Sequence, residues 1–177
     1  MGDRVCVLKD GVLQQVDTPT HLYEHPGNTF VASFIGSPGI TLMENVSIVD
    51  GHAVLGEGHR MDLGITREAA AKAPGRVIAG IRPEAWELVP GDQAQDGATT
   101  VPLKVALVEN LGSEIFLYCD AMMTADSGVS IRGKRVAVKV DKRMNVEPGT
   151  VVHARPRPGE SVFFHPENEI NLEYLEA

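Results

Sequence analysis

The sequence predicts a mainly β protein: a small closed barrel, or a pair of barrels, behind a short α+β segment. Two observations carry this reading. Beyond residue 40, short apolar stretches recur between turn residues. Two of them, Val101, Leu103, Val105, Leu107 and Val136, Val138, Val140, alternate strictly, as strands with one buried and one wet face do. Before residue 36 the grammar differs, with two apolar runs around an Asp-Gly pair followed by two helix-capping signals.

Taken in order, Arg4–Leu8 and Val12–Val16 flank Lys9-Asp10-Gly11 and form a hairpin, because Asp-Gly accepts the left-handed backbone of a tight turn. Thr18-Pro19 starts a helix with a threonine cap and a proline whose missing N–H costs nothing there. That helix stops near His25-Pro26-Gly27. Asn28 caps a second one, in which Phe30, Val31, Phe34 and Ile35 recur at helical spacing. Gly36-Ser37-Pro38-Gly39 then breaks the chain, so residues 1–36 and 40–177 read as two units. In the second unit, strands are expected at Val46–Asp50, His52–Leu55, Met61–Leu63, Arg76–Ile81, Leu103–Glu109, Ile115–Cys119, Arg135–Val140, Val151–Arg155 and Val162–Phe164. Thr66 caps a helical insertion over Arg67–Ala73, which Pro74-Gly75 ends. Residues 91–100 and 124–128 are polar loops.

Composition narrows the function classes. The 177 residues are 43% hydrophobic and 23% charged, as in ordinary globular proteins, and the N-terminus lacks the layout of a signal peptide. A net charge of -8 and 5% aromatic content argue against a nucleic-acid binder, which needs a basic face and stacking rings. Cys6 and Cys119 lie far apart in apolar runs and read as two buried thiols. His21 and His25 stand four apart on a helix but have no sequence neighbours to complete a metal site, so a surface pair is the favoured reading. The other histidines, among them His59, are scattered. Ser113, Ser127 and Ser161 have no His and Asp arrangement of a hydrolase beside them. The run Arg132–Arg135 with Lys139, Lys142 and Arg143 reads as a solvated strand face.

Two short motifs stand out. Arg82-Pro83-Glu84 reads either as a contact in which Arg82 pairs a carboxylate at a seam between domains or subunits, or as a strand rim carrying a charged pair. In Leu111-Gly112-Ser113-Glu114, Gly112 suits a hairpin needing positive φ and Glu114 opens the next strand; a recognition turn is the alternative.

From Gly2-Asp3-Arg4 through Asp10-Gly11, Gln15, Asp17-Thr18-Pro19, Leu22-Tyr23, Pro26, Asn28 and Phe30-Val31-Ala32 to Phe34-Ile35-Gly36-Ser37-Pro38, the chain closely resembles the end of the nucleotide-binding domain in ABC importer ATPases of the maltose and glycerol-phosphate type. Gly80-Ile81-Arg82-Pro83-Glu84, Val108-Glu109-Asn110-Leu111-Gly112-Ser113-Glu114 and Phe163-Phe164-His165-Pro166-Glu167 resemble motifs of the C-terminal regulatory domain, although the family usually has aspartate where His165 stands. The likeness is thinnest over residues 44–75 and 120–147.

The resemblance implies an OB-like fold, the transport-associated OB barrel, over residues 40–177, with residues 1–36 as the remnant of the ATPase domain. It implies a regulatory and dimerisation role in carbohydrate uptake, with a homodimer through the regulatory domains, membrane-spanning permease subunits, a regulatory protein as a further partner, and a cytoplasmic location on the inner face of the membrane. Arg82, Glu84, Gly112 and Glu114 are the positions it marks for a regulatory interface. ATP and Mg belong to the parent, whose phosphate-handling motifs and switch histidine are expected upstream of Met1; no GxxxxGK[ST] loop occurs here, so no catalytic, cofactor or metal residue is assigned. The alternative is a free-standing barrel that binds a small oxyanion. One physical consequence is expected: Val5, Val7, Leu8, Val12, Leu13, Val16, Phe30, Phe34 and Ile35 have lost their ATPase partner and fold back, pair with a second copy or stay unstructured.

Overall fold

The computed structural model describes residues 3–50, 52–54, 60–90, 100–123 and 128–176. Strands β1 (Val5–Lys9) and β2 (Val12–Asp17) form the expected hairpin, turning on Asp10 and Gly11 with φ of 50° and 78°. Helices α1 (Pro19–Glu24) and α2 (Thr29–Phe34) follow. The Thr18 hydroxyl accepts from the His21 amide at 3.2 Å and the Asn28 side chain from the Val31 amide at 2.9 Å. Each satisfies a donor the helix leaves open.

The remaining elements are β3 (Thr41–Val49), β4 (His52–Val54), β5 (Arg60–Met61), α3 (Arg67–Lys72), β6 (Arg76–Ile81), a 3-10 turn at Pro83–Ala85, β7 (Trp86–Val89), β8 (Val101–Asn110), β9 (Ile115–Ala121), β10 (Ser130–Ile131), β11 (Arg135–Val140), β12 (Val151–Pro156), β13 (Ser161–Phe164) and a second 3-10 turn at Leu172–Tyr174. They make two antiparallel sheets. One runs β13-β6-β3-β4-β5 with β10 added to β3, the other β11-β9-β8-β12-β7. The fold is mainly β and of the OB-like barrel type. The main core draws on both sheets, joining Met43, Val77 and Leu63 to Leu103, Leu117 and Trp86.

Strand β6 explains how the N-terminal segment is held. Val77, Ala79 and Ile81 enter the main core, while Ile78 joins Leu42 and Phe164 in a second cluster that Ala32 of α2 covers. Both faces of β6 are therefore buried, which is why its sequence is a continuous apolar run and not an alternating one. Gly80 belongs to this close approach, since a Cβ there would stand 2.8 Å from Ile40 and 3.0 Å from Phe164. A third cluster of Val7, Leu22 and Val31 gives the hairpin and helices a core of their own.

Several expectations need correction. Strand β3 begins at Thr41, not Val46: a bulge between Met43 and Val46 places Asn45 at φ 59° and lets the strand continue across it. The short strands β7 and β10 had no signal of their own; β7 starts immediately after the Pro83–Ala85 turn, which hides it. Strand β5 lies at Arg60–Met61, before most of the expected Met61–Leu63. Cys6 is exposed and not buried, because β1 is covered on one face only. Cys119 is buried as expected, and burial, with the Asp120 charge, pushes its thiol up to about 11. Of the nine residues expected to have lost their partner, Val7 is fully buried and Val5, Phe30 and Ile35 pack around it, whereas Leu8, Val12, Leu13 and Phe34 are exposed. Leu55, His59, Ser127 and the greater part of both polar loops lie outside the described residues.

Candidate functional site

Arg82 follows directly on the last residue of β6 and is 6% exposed. Among the described residues its guanidinium makes no ion pair with a carboxylate, and it is buried, so neither the ion pair at a seam nor the exposed charged rim describes it. Nη1 donates to the carbonyls of Ala32 at 3.0 Å and Ile35 at 2.6 Å, and Nη2 donates to that of Tyr23 at 3.0 Å. These carbonyls sit at the C-terminal ends of α2 and α1, where helices leave acceptors open and the backbone dipoles favour a cation. The guanidinium also lies 4.0 Å from the centre of the Tyr23 ring. Burial lowers the Arg82 pKa from its ordinary value while Tyr23 and Glu84 oppose that shift. One side chain thus ties both helices to the barrel.

Glu84 is exposed and accepts a short hydrogen bond from the Tyr23 hydroxyl. Burial, followed by this bond to a carboxylate, pushes the Tyr23 phenol up to about 12. The seam continues along α1 and α2. His25 Nδ1 lies 3.0 Å from Glu173, and the Tyr174 hydroxyl donates to the His25 carbonyl at 3.0 Å. Buried Asn171 donates through its side chain to the Pro26 carbonyl at 2.8 Å and through its amide to that of Gly27 at 2.9 Å. Arg132 spans Glu44 at 2.7 Å and Glu169 at 2.6 Å, and Glu169 also accepts from the Thr29 hydroxyl. The bond from Arg132, ahead of the one from Thr29, holds the Glu169 carboxyl below its ordinary range.

Gly112 and Glu114 share no partner with Arg82 and Glu84 among the described residues. Gly112 has φ 84° in the β8–β9 turn, and its amide donates to the Asn110 side chain at 2.8 Å. Glu114 pairs with Lys139 of β11. Arg132 and Arg135 are paired as well, the latter with Asp120 at 3.5 Å. Much of the basic run is therefore neutralised locally. The His21 and His25 rings lie 4.9 Å apart, tilted by 34°, each Nδ1 facing a carboxylate 3.0 Å away. Among the described residues no group of three or more His, Cys, Asp or Glu is placed to hold a metal. No helix among them is long and apolar enough to cross a membrane.

Beside Arg82 the seam opens into a cleft of about 450 Å³ between α1, the Pro83–Ala85 turn, the start of β13 and Glu173. The architecture is that of a hairpin and two helices clasped onto a barrel. No family model matches the chain. It is 36% identical over 170 residues, 90% of its length, to the diacetylchitobiose uptake system ATP-binding protein MsiK of Streptomyces coelicolor. This chain is homologous to the ATP-binding subunits of sugar ABC importers. To the trehalose/maltose import ATP-binding protein MalK of Thermococcus litoralis it is 42% identical over 118 residues, covering 64% of this chain and 32% of that protein. To the sn-glycerol-3-phosphate import ATP-binding protein UgpC of Rhodopseudomonas palustris it is 34% identical over 118 residues, 67% of this chain and 28% of that one. The chain spans less than half the length of these importer subunits, 43% in the case of MsiK.

Sequence reading singled out Arg82 and Glu84 but missed Thr29, Arg132, Glu169, Asn171 and Glu173. These partners lie up to 148 positions apart in the chain, and no local pattern announces them. The one signal was composition: the tail from Glu167 to Glu173 is rich in Asn and Glu, and the helix ends it meets need donors and acceptors.

Proposed function

We propose that residues 40–177 are the regulatory and dimerisation module of an importer ATP-binding subunit, and that residues 1–36 are the end of its ATPase domain, clasped to the module. The observation that carries this reading is the Arg82 clasp. A guanidinium buried against three carbonyls of the helical segment makes that segment and the barrel move as one body, so a displacement of the ATPase domain would reach the barrel undamped. Exposed Leu8, Val12, Leu13 and Phe34 fit the same reading, as a face shaped for the remainder of the ATPase domain. ATP and Mg would be handled by that remainder, the solute would be a carbohydrate or related polyol, and permease subunits, a regulatory protein and a second copy would be the partners, at the cytoplasmic face of the membrane. The four carboxylates around the seam cleft disfavour the oxyanion-binding alternative.

The test is light scattering on the 177-residue chain over a wide concentration range, together with a phosphate-release assay in ATP and Mg. A dimer that persists when Leu8 and Leu13 are changed to glutamate, without ATP turnover, is expected. A monomer at every concentration would remove the dimerisation role, and turnover would remove the assignment of catalysis to the parent.

A further inference from the structure

His21 in α1 and His25 at its C-terminal cap stand one helical turn apart, fixed there by the His25 amide donating to the His21 carbonyl at 2.7 Å. Residues four apart share a helix face, and the two ring centres come within 4.9 Å of each other. That spacing suits a shared ion. An imidazole nitrogen lies about 2.0–2.1 Å from bound zinc, which puts the centres of two rings on one ion roughly 4.5–5.2 Å apart at coordination angles of about 90–110°.

Each ring is also backed by an acid. His21 Nδ1 lies 3.0 Å from Asp17 at the end of β2, and His25 Nδ1 lies 3.0 Å from Glu173 in the turn at Leu172–Tyr174. A carboxylate behind Nδ1 holds the proton of a neutral imidazole on that nitrogen and leaves the lone pair on Nε2, the arrangement that orients histidines on a metal. Among the described residues neither Nε2 has a hydrogen-bond partner. His21 Nδ1 is itself buried, yet its side chain is 44% exposed and that of His25 43%, so solvent and ions reach the rest of each ring.

We propose that His21 and His25 together bind one divalent transition ion of the zinc, nickel or copper class through their Nε2 atoms, with Asp17 and Glu173 orienting the rings from behind. Nitrogen donors select such ions over magnesium and calcium, which prefer oxygen. Among the described residues no third His, Cys, Asp or Glu joins the pair in a ligand set, so water fills the remaining positions and the ion is exchangeable. Glu173 joins His25 to the C-terminal turn, so occupancy would hold α1 and that turn together at the seam. The site is contained in this chain and stands whether or not the importer reading does.

Isothermal titration calorimetry of the full, untagged chain with zinc, nickel and magnesium chlorides tests the assignment. One zinc or nickel ion per chain is expected, removable by EDTA, and no magnesium. Asp17→Asn and Glu173→Gln should each weaken zinc roughly tenfold, and His21→Gln or His25→Gln by more than that. All four are checked for unchanged thermal unfolding without metal. His153→Gln on β12 and Cys6→Ser should leave the affinity as it is. In the unmutated chain, nickel should broaden the ring proton signals of His21 and His25 ahead of those of the other histidines, a readout that needs no variant to fold. Absence of zinc binding, an affinity indifferent to loss of both histidines or to loss of both acids, or magnesium equalling zinc would overturn the proposal. Loss of binding with Cys6→Ser alone, or nickel broadening another histidine first, would do so too.

Discussion

Arg82 shows how one residue can decide the position of a whole segment. Its guanidinium stays charged at any ordinary pH, so burying it is tolerable only because three carbonyls and the Tyr23 ring receive it. Arg82→Met is expected to destabilise the chain by about 2–4 kcal/mol in urea unfolding, since it leaves three helix-end acceptors open. Arg82→Lys should recover little, as a single ammonium cannot reach three carbonyls in a fork. Tyr23 beside it gives an alkaline signature. The unfolded phenol loses its proton near the ordinary value of 10.0 and the folded one holds it to about 12, so its contribution is complete below pH 10 and is lost between the two values. Tyr23→Phe should flatten that part of the stability profile. Glu169 works at the acid end: its folded carboxyl sits below the ordinary 4.5, so its contribution is present above that value and fades as the pH falls through the folded pKa. Glu169→Gln should remove a share of the acid slope, read from urea midpoints measured down the pH scale.

Among the elements, the connection between β5 and α3 depends on a contact that no side chain makes. Gly64 has φ 70°, and a Cβ there would fall 2.1 Å from the Gly159 amide nitrogen and 2.6 Å from its Cα, against backbone that cannot rotate away. Gly64→Ala should therefore cost about 3 kcal/mol or more, visible as a lowered thermal midpoint, whereas Gly112→Ala meets open space and should show only the smaller cost of its positive φ, about 1 kcal/mol. Helix starts were legible because Thr18, Asn28 and Thr66 act within three residues of themselves. Strands β7 and β10 were not, because four- and two-residue strands exist only through the neighbours that pair with them.

For the molecule as a whole, the clasp changes what removing the first segment would do. A chain beginning at Ile40 loses Ala32, which covers Leu42, Ile78 and Phe164, and leaves Arg82, Asn171 and Glu169 without their carbonyl and hydroxyl partners. Such a chain is expected to unfold at lower urea and to self-associate through the bared face of β6. If it instead kept the full chain's midpoint and mass, the seam would contribute nothing to stability.

The sequence by itself determined the mainly β class, the Asp10-Gly11 hairpin and the capped helices, because these rest on turn geometry, capping and periodicity within a few residues; the likeness to importer subunits rested instead on the resemblance of its motifs. Only the tertiary structure decided the fate of Arg82. Neither a carboxylate partner nor an exposed rim could be ruled out from Arg82-Pro83-Glu84, and the carbonyls that receive the guanidinium come from residues 47 to 59 positions earlier. A backbone carbonyl carries no identity in a sequence. Which ones lie open, and which charge is folded against them, is fixed only when helix ends and sheet edges meet in three dimensions.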